Sequence, residues 1–249
     1  MTLIAFDVAS SFGYFRKSFT TTNSLTHNII PRSTVEGLVG AILGLSSSEY
    51  PELLQNSKIA VQILSEVRKM NFKQKNIHPD WLATIPRYLE NKPVTKKTPF
   101  SVPASIELLV NPKYRIFFDG GKINSNLADM LRAKKSHYTP YLGSSSMICS
   151  TKFVGEFEYA HSSKKEEMLS SVISFSGNIP KISLNSGTKF AIDEGLSIHI
   201  DKDRIPHGTY NVVYSPNAGK IPLIEDEIYS VNMRKEIINV KFLPTPIAS

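Results

Sequence analysis

The chain has one cysteine in 249 residues, Cys149, so an intrachain disulfide and a thiolate metal cluster are both excluded. A lone thiol agrees with a reducing compartment, and a cytoplasmic location is the expectation. Signals of catalysis are scarce. There is no P-loop, no G-x-S-x-G and no H-E-x-x-H, which removes the phosphate-loop, nucleophile-elbow and zinc-protease readings. The six histidines, His27, His78, His137, His161, His199 and His207, stand without metal-ligand spacing, so neither a metal nor a cofactor is expected. The longest apolar helical run, residues 35–45, is far shorter than the roughly 20 residues that span a bilayer, and no membrane partner is expected. The N-terminus reads as a strand with no basic or apolar leader region, so no signal peptide is expected.

Positive charge is what the sequence has in surplus. Lys and Arg number 29 against 22 Asp and Glu, a net charge of +7, which favours an anionic partner without identifying it. Residues 68–135 hold 14 of those 29 cations but five acids, Asp80, Glu90, Glu107, Asp119 and Asp129. Within them, residues 71–106 are broken by Pro79, Pro86, Pro93, Pro99 and Pro103, which rules out a packed helix. This segment carries Lys73, Lys75, Arg87, Lys92, Lys96 and Lys97, interleaved with Phe72, Trp81, Tyr88 and Phe100. It reads as an extended, strand-poor excursion, a long hairpin being one form of it. Cations that follow phosphates and rings that stack on bases suit single-stranded nucleic acid. A lysine-decorated surface loop with its aromatics tucked beneath has the same composition.

Residues 13–45 organise the rest. Ser33 and Glu36 have the S-x-x-E spacing of a capping box, and Val35, Leu38, Val39, Ile42 and Leu43 follow at helical spacing. Gly37, Gly40, Ala41 and Gly44 form a second stripe. Glycine within a helix costs roughly 1 kcal/mol against alanine, so the stripe predicts a second backbone passing close. Ahead of the helix lies a long loop, residues 14–30, of a length usually reserved for function or disorder. Arg16, Lys17, Thr20, Thr21, Thr22, Asn23, Ser24 and Arg32 offer phosphate donors there, and Phe15 offers a stacking face. A solvated loop held down by Phe12, Phe15 and Phe19 fits these residues equally well.

The remaining pattern predicts strands at residues 2–8, 58–67, 106–110, 114–118 and 152–159. Short helices are expected after Ser48 and from Ser125 or Asn126 to Lys135. The fold class is α+β. To residue 160 the order strand, helix, strand, strand, helix, strand is that of a ferredoxin-like domain, with residues 71–106 inserted as a thumb. It lacks paired RNP aromatics, so RNA would be gripped by loops rather than by an open sheet face. Residues 161–249 read as a smaller β-rich region of short strands at 182–184, 189–192, 196–200, 209–214 and 236–242, entered through a short helix at 164–172. The acidic clusters 201–203 and 225–227 read as solvated turns.

The strand, the run Gly13-Tyr14-Phe15-Arg16-Lys17, the Thr/Ser-rich loop and then IPRSTVEGLVGAILGL from Ile30 to Leu45 resemble one family, as does Tyr138-Thr-Pro-Tyr-Leu-Gly143 more loosely. This is the CRISPR-associated fifth-subunit family of the RAMP superfamily, which caps the 5′ handle of the crRNA in type I Cascade complexes; a type I-B-like member is implied. The resemblance implies a non-catalytic subunit of an antiviral ribonucleoprotein. It would bind the crRNA handle, contact the backbone and large subunits, and meet target DNA through the assembled complex. Loops 14–32 and 138–146 would form the cleft, with Arg16, Lys17 and Arg32 on phosphates. Thr21, Thr22 and Ser24 would donate hydrogen bonds, and Phe15 and Tyr141 would stack on bases. Tyr14, Tyr138 and Ser144 would complete the RNA site, and the thumb would bring Lys92, Lys96 and Lys97. One subtype of the family cleaves its repeat RNA. A metal-independent endoribonuclease using His137, Tyr138 and Lys134 is therefore the alternative, and a scaffold whose basic surface meets proteins is a third reading.

Overall fold

The computed structural model describes residues 1–20, 23–77, 85–90, 101–162, 164, 166–183, 189–224, 227–234 and 236–246. Its centre is β1 (Thr2–Ala9), whose apolar run at residues 3–6 is explained by burial on both faces. Ile4, Phe6 and Val8 point into one core, and Leu3 and Ala5 into another. The chain continues through β2 (Phe12–Gly13), β3 (Asn23–Ser24), α1 (Arg32–Leu43), α2 (Tyr50–Leu54) and β4 (Lys58–Ile63). Then come β5 (Arg68–Ile77), α3 (Ile85–Leu89), β6 (Ser101–Val110), β7 (Lys113–Asp119), α4 (Asn124–Arg132) and β8 (Ser150–His161). Four of these strands lie side by side as β8-β1-β7-β4, every pair antiparallel. Helix α1 leads from β1 towards β4, and α4 from β7 towards β8. The fold is mixed, strand-rich and poor in helix.

The sheet does not stop where the second region was expected to begin. The C-terminal half of β8 pairs with β14 (Tyr229–Met233), followed outward by β15 (Glu236–Val240), β9 (Glu166–Leu169) and β13 (Ile221–Ile224), which makes one eight-stranded sheet. A second sheet, β10 (Ile173–Phe175), β12 (Pro206–Tyr214) and β11 (Ala191–Ile200), covers α1. The α1 face of Val35, Leu38, Val39 and Ile42 shares a core with β1 and with Leu196, Tyr210 and Val212 of that sheet.

Several local expectations are corrected. The capping box does not form: Pro31 occupies the N-cap with no side-chain hydrogen bond, and Glu36 turns inward to Arg32. The glycines of the stripe meet side chains, since a Cβ on Gly40 would lie 2.9 Å from Tyr50 Cβ, while a second backbone does pass close at Ala41, whose O accepts the Tyr138 N–H. The expected helix at 164–172 is strand β9, where Leu169 is buried in a sheet core. The 71–106 excursion is not strand-poor. Its described arms, β5 and β6, are strands of ten residues each, paired antiparallel from Arg68↔Val110 to Ile77↔Ser101. Pro103 is tolerated because it pairs with exposed Lys75 in this outlying ladder. β2 and β3 bind the other edge of β6, which ties the 14–30 loop to the base of the hairpin. Among the described residues no helix is long and apolar enough to cross a membrane, and no cluster of His, Cys, Asp and Glu is placed to hold a metal ion.

Candidate nucleic-acid interface

A groove opens over the first turns of α1. It has two lobes, of about 480 Å³ and about 250 Å³, which share Ser33, Thr34, Gly143, Ile200 and Arg204. Tyr14, Arg16 and Ser18 wall the larger lobe on one side, and Gly195, Ser197 and Thr209 wall it on the other. Gly37 and Ala41 floor the smaller lobe, between Tyr50 and Tyr141. Arg16 and Arg204 supply charge, and among the described residues no carboxylate lines either lobe. The first turn of α1 carries no acid; Tyr210 OH accepts the Arg32 N–H at 3.1 Å, and Pro31 O accepts the N–H groups of Thr34 and Val35.

Backbone contacts hold the walls. Tyr14 N–H donates to Leu142 O at 3.1 Å, and His27 N–H to Phe15 O at 2.8 Å. Gly143 has φ +85, and a Cβ there would fall 1.9 Å from Tyr14 O, so only glycine lets the two loops meet. A buried ion cluster then fixes the first loop to β11. Asp193 Oδ1 lies 2.7 Å from Lys17 Nζ and 3.2 Å from His27 Nδ1, while Oδ2 accepts the Asn28 N–H. Burial alone would push the Asp193 carboxyl up; the hydrogen bonds from His27, Lys17 and Asn28 outweigh it and hold the group at about 2.

This geometry sorts the expected RNA-contacting residues. Tyr14, Arg16 and Tyr141 reach the groove. Phe15 borders it but is 3% exposed, packed 6.4 Å from the Tyr114 ring, so it has no free face for a base. Lys17 is taken by Asp193. Arg32 is the clearest correction. Its side chain is fully buried, its Nε sits 2.9 Å from Glu36 Oε1, and Nη2 donates to Gln55 O at 2.8 Å and Ser57 O at 2.7 Å. A phosphate cannot reach it. Burial pulls the Arg32 guanidinium down and pushes Glu36 up to about 7, with their mutual attraction opposing both shifts. Ser24 is half-buried in β3 beside Ile106, away from the groove. Ser144 follows Gly143, its hydroxyl 3.1 Å from that of Ser146. Thr21, Thr22, Lys92, Lys96 and Lys97 lie outside the described residues.

The backbone at two of the candidate nuclease residues meets the end of α1. His137 N–H and Tyr138 N–H donate to Ile42 O and Ala41 O, which caps the C-terminus of α1. The His137 ring packs against Gly44, where any Cβ would come within 2.7 Å of it, and lies edge-on to Tyr138 at 4.7 Å. Lys134 adopts φ 53 in the turn after α4.

Sequence reasoning missed two groups. Phe19, expected to pin the loop down, is 67% exposed, and a side chain on Gly195 at the groove wall would touch its ring. Arg204 comes from the β11–β12 turn, directly after the acidic cluster 201–203 that reads as a solvated turn. Neither position carries a local signal, because each gains meaning from a wall built far away in the chain.

A search of curated protein sequences gives no match. Among solved structures, a chain of a CRISPR RNA-guided surveillance complex superposes with a TM-score of 0.51 at 11% identity, covering 88% of this chain and 91% of that one. A chain of a type III-B Cmr-beta complex bound to cognate target RNA and AMPPnP gives a TM-score of 0.50 at 13% identity, covering 94% and 98%. At these identities the likeness speaks to the fold alone. A family model described as CRISPR-associated protein (Cas_Cas5) matches residues 3–216, most of the length, and the chain therefore belongs to the CRISPR-associated Cas5 family.

Proposed function

We propose that this protein is the non-catalytic subunit that binds and caps the crRNA 5′ handle in a type I Cascade complex. The observation that carries the reading is the groove over α1: two arginines, exposed rings at its rim and, among the described residues, no lining carboxylate. Such a surface suits a single strand whose phosphates need cations and whose splayed bases need rings. Arg16 takes a phosphate; Tyr14, Phe19 and Tyr141 meet bases or sugars. Hairpin β5–β6, with exposed Lys73 and Lys75, acts as a thumb on the strand where handle passes into spacer. The backbone and large subunits are its protein partners, and target DNA is met through the assembled complex by guide pairing.

The antiparallel order β8-β1-β7-β4, with crossing helices α1 and α4, supports a ferredoxin-like core within residues 1–160, extended by the β-rich region 161–249. The test is purified protein incubated with labelled repeat RNA in EDTA, run on native and denaturing gels. A shifted but intact RNA is expected; a discrete product would overturn the reading in favour of a metal-independent nuclease.

A further inference from the structure

The β11–β12 turn carries the groove's second cation. Asp201 builds this turn: its Oδ1 accepts the N–H groups of Asp203 at 2.9 Å and Ile205 at 2.8 Å, and its Oδ2 lies 2.7 Å from His207 Nε2. Arg204 N–H closes the turn onto Asp201 O at 3.1 Å. The result places Arg204 at φ 64, a left-handed conformation that side-chain-bearing residues seldom adopt. From there its side chain reaches across the groove to α2. Nη1 donates to Tyr50 OH at 2.7 Å, and the guanidinium carbon stands 5.7 Å from the centre of the Tyr50 ring. Arg204 is exposed, lines both lobes and has no carboxylate partner among the described residues.

A guanidinium held by one neutral hydroxyl and one ring face keeps most of its donors free. A phosphodiester offers a charged, bidentate acceptor in place of the phenol, and that exchange favours the phosphate. We propose that Arg204 is a phosphate clamp on the C-terminal wall of the groove, gripping the single-stranded RNA opposite Arg16, and that Tyr50 latches it aside in the free protein. This rests on the RNA-binding reading above and adds to it a contact from the C-terminal half of the chain. The turn itself need not move, because Asp201 holds its backbone; the guanidinium alone changes partner.

The test is fluorescence anisotropy of the full chain with a labelled single-stranded repeat-handle RNA across a salt series. Wild type, Arg16→Ala, Arg204→Ala, Arg204→Lys and Tyr50→Phe would be compared. Arg204→Ala should weaken binding about 10-fold, the loss of one charged contact, and flatten the log–log salt slope by about 0.7. Arg204→Lys should restore the slope but only part of the affinity, and it keeps the proposal testable if the alanine variant does not fold. Tyr50→Phe, which removes the latch hydrogen bond, should tighten binding. The clamp is overturned if Arg204→Ala binds as wild type while Arg16→Ala weakens binding. It is also overturned if Tyr50→Phe weakens binding as much as Arg204→Ala, since Arg204 would then only staple the turn to α2. A wild-type value for Tyr50→Phe would strike out the latch alone. Absence of RNA binding by the wild type would remove the RNA reading and the clamp together.

Discussion

The loop 14–32 and the hairpin β5–β6 are both basic, yet they use their cations in opposite ways. In the loop, Lys17 is held by Asp193 and Arg32 by Glu36 and three carbonyl groups, which leaves Arg16 facing the groove. In the hairpin, Lys69 pairs with Glu107, but Lys73 and Lys75 are exposed and have no partner among the described residues. The difference follows from depth. The loop packs against β11 and α1, where an unpaired charge is not tolerated; the hairpin is a two-stranded arm in water. A cation count therefore measures the charge of a segment and not its availability to a ligand.

The largest effect that would sharpen this contrast is on stability. Arg32→Ala leaves Glu36 buried with only His199 Nδ1, 3.4 Å away, facing it, and should cost about 3–5 kcal/mol, read by chemical denaturation. A folded Arg32→Ala protein of wild-type stability that had lost RNA affinity would break the contrast and return Arg32 to the binding site. Next in size is the pH dependence of the Asp193 cluster. This carboxyl is held at about 2, below its ordinary value of 3.8. Its contribution, on the order of 2 kcal/mol, is therefore complete above that ordinary value and lost as the pH falls through about 2. Asp193→Asn should remove that part of the acid-unfolding profile; an unchanged profile would show that the cluster does not hold the loop.

Smaller effects fall on binding alone. Phe19→Ala should weaken single-stranded RNA binding by about 1 kcal/mol, the low end for one base–ring stack, with the thermal midpoint unchanged. If Phe15→Leu, conservative in volume, weakened RNA binding instead, the assignment of the exposed ring would be reversed. Smallest of all, Lys73→Ala with Lys75→Ala should shift stability by no more than about 0.5 kcal/mol and lower the salt slope by about 1.4, two single-strand phosphate contacts. A stability loss above 2 kcal/mol in that double variant would place these lysines in the fold, like those of the loop.

What was legible in the sequence was what repeats locally. The α1 face of Val35, Leu38, Val39 and Ile42 announces itself by spacing, and all four are buried. The alternation at residues 152–159 lies within β8. Partners far apart in the chain were not legible. Nothing near Lys17 points to Asp193, and nothing near Arg32 points to the carbonyl groups of Gln55 and Ser57. For the same reason Phe15 and Phe19 look interchangeable as letters, although one is interior and the other faces solvent. The family motif points to two loops as the cleft, and the structure packs Tyr14 against Gly143; a third wall of the groove comes from a hairpin that the motif does not include.

One detail of the sheet bears on how the chain is made. β4 is the outermost strand of the eight-stranded sheet, and its free side is covered by later chain: Val172 N–H bonds Val61 O at 2.8 Å, and Leu243 N–H bonds Ile59 O at 2.7 Å. A ribosome adding about 5–20 residues per second delivers Leu243 on the order of 10–40 s after Ile59. Until Val172 and then Leu243 have been added, the nascent polypeptide carries an open strand edge, the kind that templates aggregation.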